Sequence, residues 1–184
     1  MEKKAIFLDV DGVLNSRTFF DRVHKENGID IFREKILDKS CITNLKRIVD
    51  ETGADIILSS SWRIIPTLVE TLRKQLGDFG MTIIDSTKSL CCKERGDEIK
   101  EWLDRHPEYT AFVVLDDDSD MTAVMDHFVQ TRYWGRGLTA ELADKAIEIL
   151  HKDHRNEVYK NEALIYLINV AFRVHNKQSR NIMM

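Results

Sequence analysis

The sequence predicts an α/β domain built on a parallel sheet, and three observations predict it. Short apolar runs recur as continuous rather than alternating blocks, which suits strands buried on both faces. Helix-spaced apolar stripes lie between those runs, as right-handed crossovers require. Acidic, hydroxyl and basic residues gather just after the runs, where open parallel sheets bind their ligands.

The elements follow in order. Residues 5–8 form the first strand. A charged insertion at about 15–39, with aromatics at Phe19, Phe20 and Phe32, reads as a small flap. Ile42, Leu45, Ile48 and Val49 make the first helical stripe, and 55–58 is the second strand. Ile65, Leu68, Val69, Leu72 and Leu76 give an i, i+3, i+4, i+7 series. Pro66 stands near the start of that helix and Gly77 at its end, where each is tolerated. Residues 81–84 are the third strand. Ile99, Trp102 and Leu103 mark a helix that stops before Pro107. The fourth strand is 111–115 and a weaker fifth is 128–131. Thr139 caps a last helix carrying Leu142, Ala143, Ala146, Ile147 and Leu150. From about 155 to 175 an extra C-terminal helix is expected. Its apolar residues fill more than one stripe, so it packs on the domain or on a second copy, giving a homodimer. The organisation is one domain over 1–154 and a helical extension over 155–184.

Composition narrows the function classes. At 184 residues the chain is sized for one domain with a sizeable core. It carries 27 Lys and Arg against 31 Asp and Glu, a net charge of −4. The charge is uneven: from His151 onward six basic residues face three acidic ones, leaving 21 against 28 in the first 150. A protein that coats nucleic acid by bulk charge is basic throughout a domain, so that class is disfavoured. No apolar run approaches the ~20 residues that span a bilayer, so no membrane association is expected. Residues 1–4 lead into a four-residue apolar run that meets Asp9, unlike a signal peptide. The three cysteines include the adjacent Cys91 and Cys92, which suits neither a disulfide framework nor CxxC zinc spacing. A reducing, cytoplasmic setting is the expectation.

The strand ends carry the chemistry. The first ends in Asp9-Val10-Asp11-Gly12-Val13-Leu14-Asn15 and the second in Ser59-Ser60-Ser61-Trp62-Arg63. The fourth ends in Asp116-Asp117-Asp118-Ser119-Asp120, and Lys93-Glu94-Arg95-Gly96-Asp97 opens a helix before it. Acids bunched this closely are costly without a cation. A calcium loop starting at Asp116 would need Gly at its sixth position and Glu at its twelfth, where Met121 and His127 stand.

Those four segments, in that order, resemble the motifs of the haloacid dehalogenase (HAD) superfamily of phosphotransferases. The resemblance implies a Rossmann-like HAD fold, a five-stranded parallel sheet flanked by helices, here with a minimal cap. It implies Asp9 as the nucleophile that forms an aspartyl-phosphate. Asp11 would protonate the leaving oxygen and then activate water. Family members that dehalogenate or pump ions lack an acid at that position, which favours phosphatase or phosphomutase chemistry. Mg²⁺ would be held by Asp9, Asp11, Asp116 and Asp117. Phosphoryl oxygens would be bound by Ser60 or Ser59, by Lys93 or Arg95, and at Gly12. The roles of Asp118 and Asp120 stay open.

Finer sequence runs narrow the family. Ser-Ser-Ser-Trp-Arg at 59–63, Arg-Gly-Asp-Glu-Ile-Lys-Glu-Trp-Leu at 95–103, Leu-Asp-Asp-Asp at 115–118 and Gly-Leu-Thr at 137–139 are similar to the HAD-like domain associated with Swiss Army knife RNA repair proteins. This resemblance spans about residues 3–152. It implies a phosphomonoesterase acting on RNA or DNA end phosphates, with nucleotides or other small phosphate esters as the alternative substrates. A short flap in place of a large cap would admit a polymer end. Arg17, Arg63, Lys93, Arg95, Arg132 and Arg136 lie near the expected crevice to meet backbone phosphate. Phe19, Phe20, Trp62 and Trp134 are the candidates to stack a base, with Arg63 and Trp62 the leading substrate contacts. Trp102 sits on a helical stripe and reads as core. The rival class is a non-catalytic Mg²⁺-binding or phosphoacceptor module. A receiver carries its acceptor after the third strand, which here ends in Asp85-Ser86-Thr87 with no second acid beside it.

Overall fold

Ala5 to Leu8 are entirely buried, and that run organises everything around it. It lies in β1 (Lys3–Leu8), which pairs in parallel with β2 (Asp55–Leu58) on one side and β4 (Tyr109–Asp116) on the other. β3 (Ile83–Ser86) adds to β2 and β5 (Phe128–Gln130) to β4, again in parallel. The sheet order is β3-β2-β1-β4-β5. The chain therefore winds outward to one edge, then returns to the centre, and the switch falls between β1 and β4. Loops leaving those two strands diverge there and open a crevice. The computed structural model describes residues 2–152; the expected C-terminal extension at 155–184, and any dimer made through it, lies outside them.

The continuous apolar runs fill two cores. Ile6, Leu8, Ile56, Leu58, Val113 and Leu115 point to one face of the sheet. That face is covered by α3 (Lys39–Thr52), α4 (Pro66–Gly77) and α6 (Ala140–His151), through the stripes their spacing predicts. Ala5, Phe7, Ile57 and Val114 point to the other face. There α5 (Arg95–Arg105) brings Ile99 and Trp102, and Trp102 meets Phe7 edge-to-face at 5.3 Å. Alternate side chains thus feed opposite layers, which is why no strand shows polar alternation. Pro66 opens α4 as expected, and Thr139 Oγ1 accepts the Leu142 N–H at 3.4 Å to cap α6.

One expectation shifts and another gains detail. The third strand is displaced by two residues, because Ile83 and Ser86 are what pair with β2. Met81 is buried all the same, in the turn where its N–H reaches Leu76 O after α4, so apolarity there reports the core and not the ladder. The flap is helical: it folds as α1 (Arg17–Asn27) and the short α2 (Ile31–Glu34). Ser16 caps α1 by accepting from Phe19 N–H, and Asp30 caps α2 by accepting from Phe32 and Arg33 N–H. Among the described residues no helix is long and apolar enough to cross a membrane.

Candidate active site

The crevice between β1 and β4 gathers carboxylates. Asp9 follows β1, its N–H donating to Leu115 O, and Asp116 closes β4. Oxygens of Asp9, Asp116 and Asp117 all lie within 4.8 Å of one another. Asp9 is 6% exposed and Asp116 1%. Burial pushes the Asp9 carboxyl well above the usual carboxylate range, and the Asp116 charge adds to it. Asp116 and Asp117 are raised as well, again chiefly by burial. Like charges held this close and this dry are what a small hard cation offsets. Among the described residues Asp116 Oδ2 is buried without a hydrogen bond, met only by the Arg95 guanidinium at 3.4 Å, so it keeps a lone pair for a metal. The residues present therefore fit Mg²⁺, with Asp9, Asp116 and Asp117 as its carboxylates.

Asp11 stands outside that group. Trp62 Nε1–H donates to Asp11 Oδ2 at 2.7 Å, and Asn15 Nδ2–H donates to Oδ1 at 2.8 Å. Asn15 in turn accepts the Gly12 N–H on its own Oδ1 at 3.1 Å, which fixes which way its amide faces. Two acids separated by one residue are thus given different surroundings. Gly12 has φ +82°, and a Cβ there would sit 2.4 Å from Asp117 Cγ, so only glycine lets that carboxylate lie against the turn. Its N–H donates to Asn15, and its bare Cα makes room for Asp117.

Of the two candidate cations, Arg95 is the one brought to the carboxylates. Its Nη1 lies 3.2 Å from Asp9 Oδ1 and its Nε 3.4 Å from Asp116 Oδ2, and it also donates to Ser59 O. Lys93 is exposed, in the segment just after a turn where Cys92 takes φ +62°. Arg95 is held in place by its own backbone: its N–H donates to Asp120 Oδ2 and the next, Gly96 N–H, to Asp120 O, each at 3.0 Å. Asp120 thus pins the start of α5 to the loop after β4. Asp118 donates its N–H to Asp116 Oδ1 and accepts from Ser119 N–H, an acid that shapes the turn.

Ser60 and Ser59 are both completely buried at the end of β2. The Ser60 hydroxyl hydrogen-bonds Asp9 and opposes the rise in its pKa, while its Oγ accepts the Trp62 N–H at 3.3 Å. Among the described residues Ser59 Oγ has no hydrogen-bond partner. The two expected substrate contacts beside them do other work. Arg63 donates to the carbonyls of Ser59 and Ser60 and pairs with Glu98 at 2.5 Å, both side chains only 7% exposed. Trp62 is 3% exposed, its N–H spent on Asp11. Neither offers an open surface to a ligand. Glu98, which composition alone does not single out, also accepts the Leu90 N–H at 2.7 Å and so ties the segment before α5 to β2's end.

Around the mouth the flap meets the loop between β5 and α6. Arg17 N–H donates to Tyr133 O at 2.8 Å. The Arg17 guanidinium lies over Phe20 at 5.0 Å and over Trp134 at 5.7 Å. Phe32 stacks between Phe20 and Tyr133. Trp134 is 76% exposed, and Arg132 and Arg136 flank it in the open. Phe19 faces the core instead.

Compared with known families, residues 5–143 match the model described as the HAD domain in Swiss Army Knife RNA repair proteins. No curated protein matches the chain.

Proposed function

The chain belongs to the family of HAD domains in Swiss Army Knife RNA repair proteins, and from that premise we propose that it is a Mg²⁺-dependent phosphomonoesterase acting on the phosphorylated ends of nucleic acid, RNA above all. The observation that carries this reading is the division between two neighbouring acids. Asp9 sits in the cation-binding group, and Asp11 is held outside it by Trp62 and Asn15. In the first half-reaction an Asp9 oxygen bonds to phosphorus as the ester P–O bond breaks, and Asp11 gives its proton to the departing oxygen. In the second, Asp11 takes a proton from water, whose oxygen attacks phosphorus and frees Asp9. Arg95 and the Ser60 hydroxyl are in reach of Asp9 to bind phosphoryl oxygens as charge develops on them. Bound Mg²⁺ would neutralise the carboxylates and the incoming phosphate and polarise the phosphoryl oxygen.

The preference for a polymer end rests on the rim. An exposed indole next to Arg17, with Arg132 and Arg136 alongside, suits a base stacked on a ring and a backbone phosphate beside it. The flap is two short helices, and among the described residues no bulky cap stands in the way of a strand.

The test is phosphate release with Mg²⁺ from an aryl phosphate, free nucleotides, and oligonucleotides phosphorylated at either end. Wild type is expected to favour one oligonucleotide end, and Asp9→Asn to lose at least about a thousandfold, as removal of a covalent nucleophile does. Equal rates on free nucleotides would move the assignment to small phosphate esters. Release from nothing, or from the variant as well as from wild type, would leave a non-catalytic module.

A further inference from the structure

Asp11 is braced from a different strand. Its loop leaves β1, yet one of its two oxygens is held by an indole that stands after β2, at 2.7 Å. The indole is fixed on every side. Trp62 is the second residue of a 3-10 turn (Ser61–Ile64) capped by Ser60, it is 3% exposed, and Lys35 Nζ from the flap lies 5.8 Å from the centre of its ring. A Trp N–H only donates, so its partner must be an oxygen lone pair, and it cannot swap roles as a hydroxyl can. Asn15 holds the opposite oxygen, with its own orientation set by Gly12. Asp11 is therefore fixed in rotation and kept from swinging into the Asp9, Asp116 and Asp117 group.

We propose that Trp62, together with Asn15, is a positioning residue that aims Asp11 at the leaving oxygen, so that proton delivery depends on a side chain from the second motif. The inference rests on the phosphatase reading above. The step at stake is the one in which the ester P–O bond breaks and its electron pair takes the Asp11 proton, yielding a neutral alcohol and an Asp11 carboxylate. An alkyl leaving group needs that proton. A nitrophenyl group leaves as a stabilised phenolate and needs it far less.

The experiment compares kcat/KM, which covers steps only through departure of the leaving group, for p-nitrophenyl phosphate and for an oligonucleotide bearing a terminal phosphate. Wild type, Trp62→Phe, Asp11→Asn and the double variant are measured with Mg²⁺. Trp62→Phe keeps the ring and removes the N–H. Its loss on the oligonucleotide is expected to exceed its loss on the aryl ester by about tenfold or more, the pattern of Asp11→Asn at smaller amplitude. In the double variant that ratio should not rise beyond the Asp11→Asn value, since the two act through one proton. Equal losses on both esters, or ratios that multiply in the double variant, would overturn the proposal and leave the phosphatase reading standing. If wild type hydrolyses neither ester, the phosphatase reading fails and this inference falls with it. Should Trp62→Phe not fold, Asn15→Ser releases the other oxygen and is judged by the same ratio.

Discussion

The carboxylate centre and the aromatic rim stand at the same end of the sheet and are built in opposite ways. In the centre, acids are tied by partners from other elements: Asp9 and Asp116 by Arg95 of α5, Asp11 by Trp62 after β2, and Glu98 by the Arg63 strut. At the rim, contacts run between rings of the flap and one loop, and the largest ring faces water. Under the proposed function the centre moves a proton and a phosphoryl group, chemistry that tolerates little displacement and calls for cross-braced groups. Recognition of a chain end tolerates more, and an open ring accepts any base.

The contrast breaks first if the bracing is not structural. Glu98→Ala leaves the buried Arg63 charge without its paired carboxylate, and truncating one partner of such a pair costs about 3–5 kcal/mol. Denaturant unfolding should register that loss, and a change under about 1 kcal/mol would mean the centre does not depend on this strut. Next comes the turn beside the metal group. In Gly12→Ala the new methyl meets the Asp117 carboxyl, and calorimetry is expected to find Mg²⁺ bound about 10–100-fold more weakly. Unaltered affinity would take Asp117 out of the metal site. The smallest effect belongs to the rim. Trp134→Ala should lower kcat/KM for a phosphorylated oligonucleotide by about tenfold more than for an aryl phosphate, the value of one stacked base. An equal change in both would tie the ring to folding instead of to recognition.

These regions also differ in how well the sequence announces them. The sheet was legible because unbroken apolar runs have few other uses, and Asp9, Asp116 and Asp117 because bunched acids ask for a cation. Choosing between Lys93 and Arg95 was beyond spacing, since the deciding contact is with Asp120, on the far side of β4 in the chain. Trp62 and Arg63 read as substrate contacts in the sequence, and the structure spends them on neighbours first, because aromatic and cationic groups next to acids find those acids, or carbonyls. The flap helices left a readable signal in Ser16 and Asp30, each placed just ahead of a helix as a cap. Their charged composition and short length hid the apolar periodicity that a longer helix would show.

The central position of β1 has a consequence for how the molecule comes into being. Lys3 pairs with Tyr109 and Leu8 with Leu115, so β1 waits for about a hundred further residues before its second neighbour arrives. Until then a growing chain can assemble only β3, β2 and β1, with β1 as a bare edge of unbroken apolar residues. Such an edge invites pairing with other chains, and closing it over so long a loop is slow. Completion of the carboxylate centre and removal of that hazard are the same event, the insertion of β4.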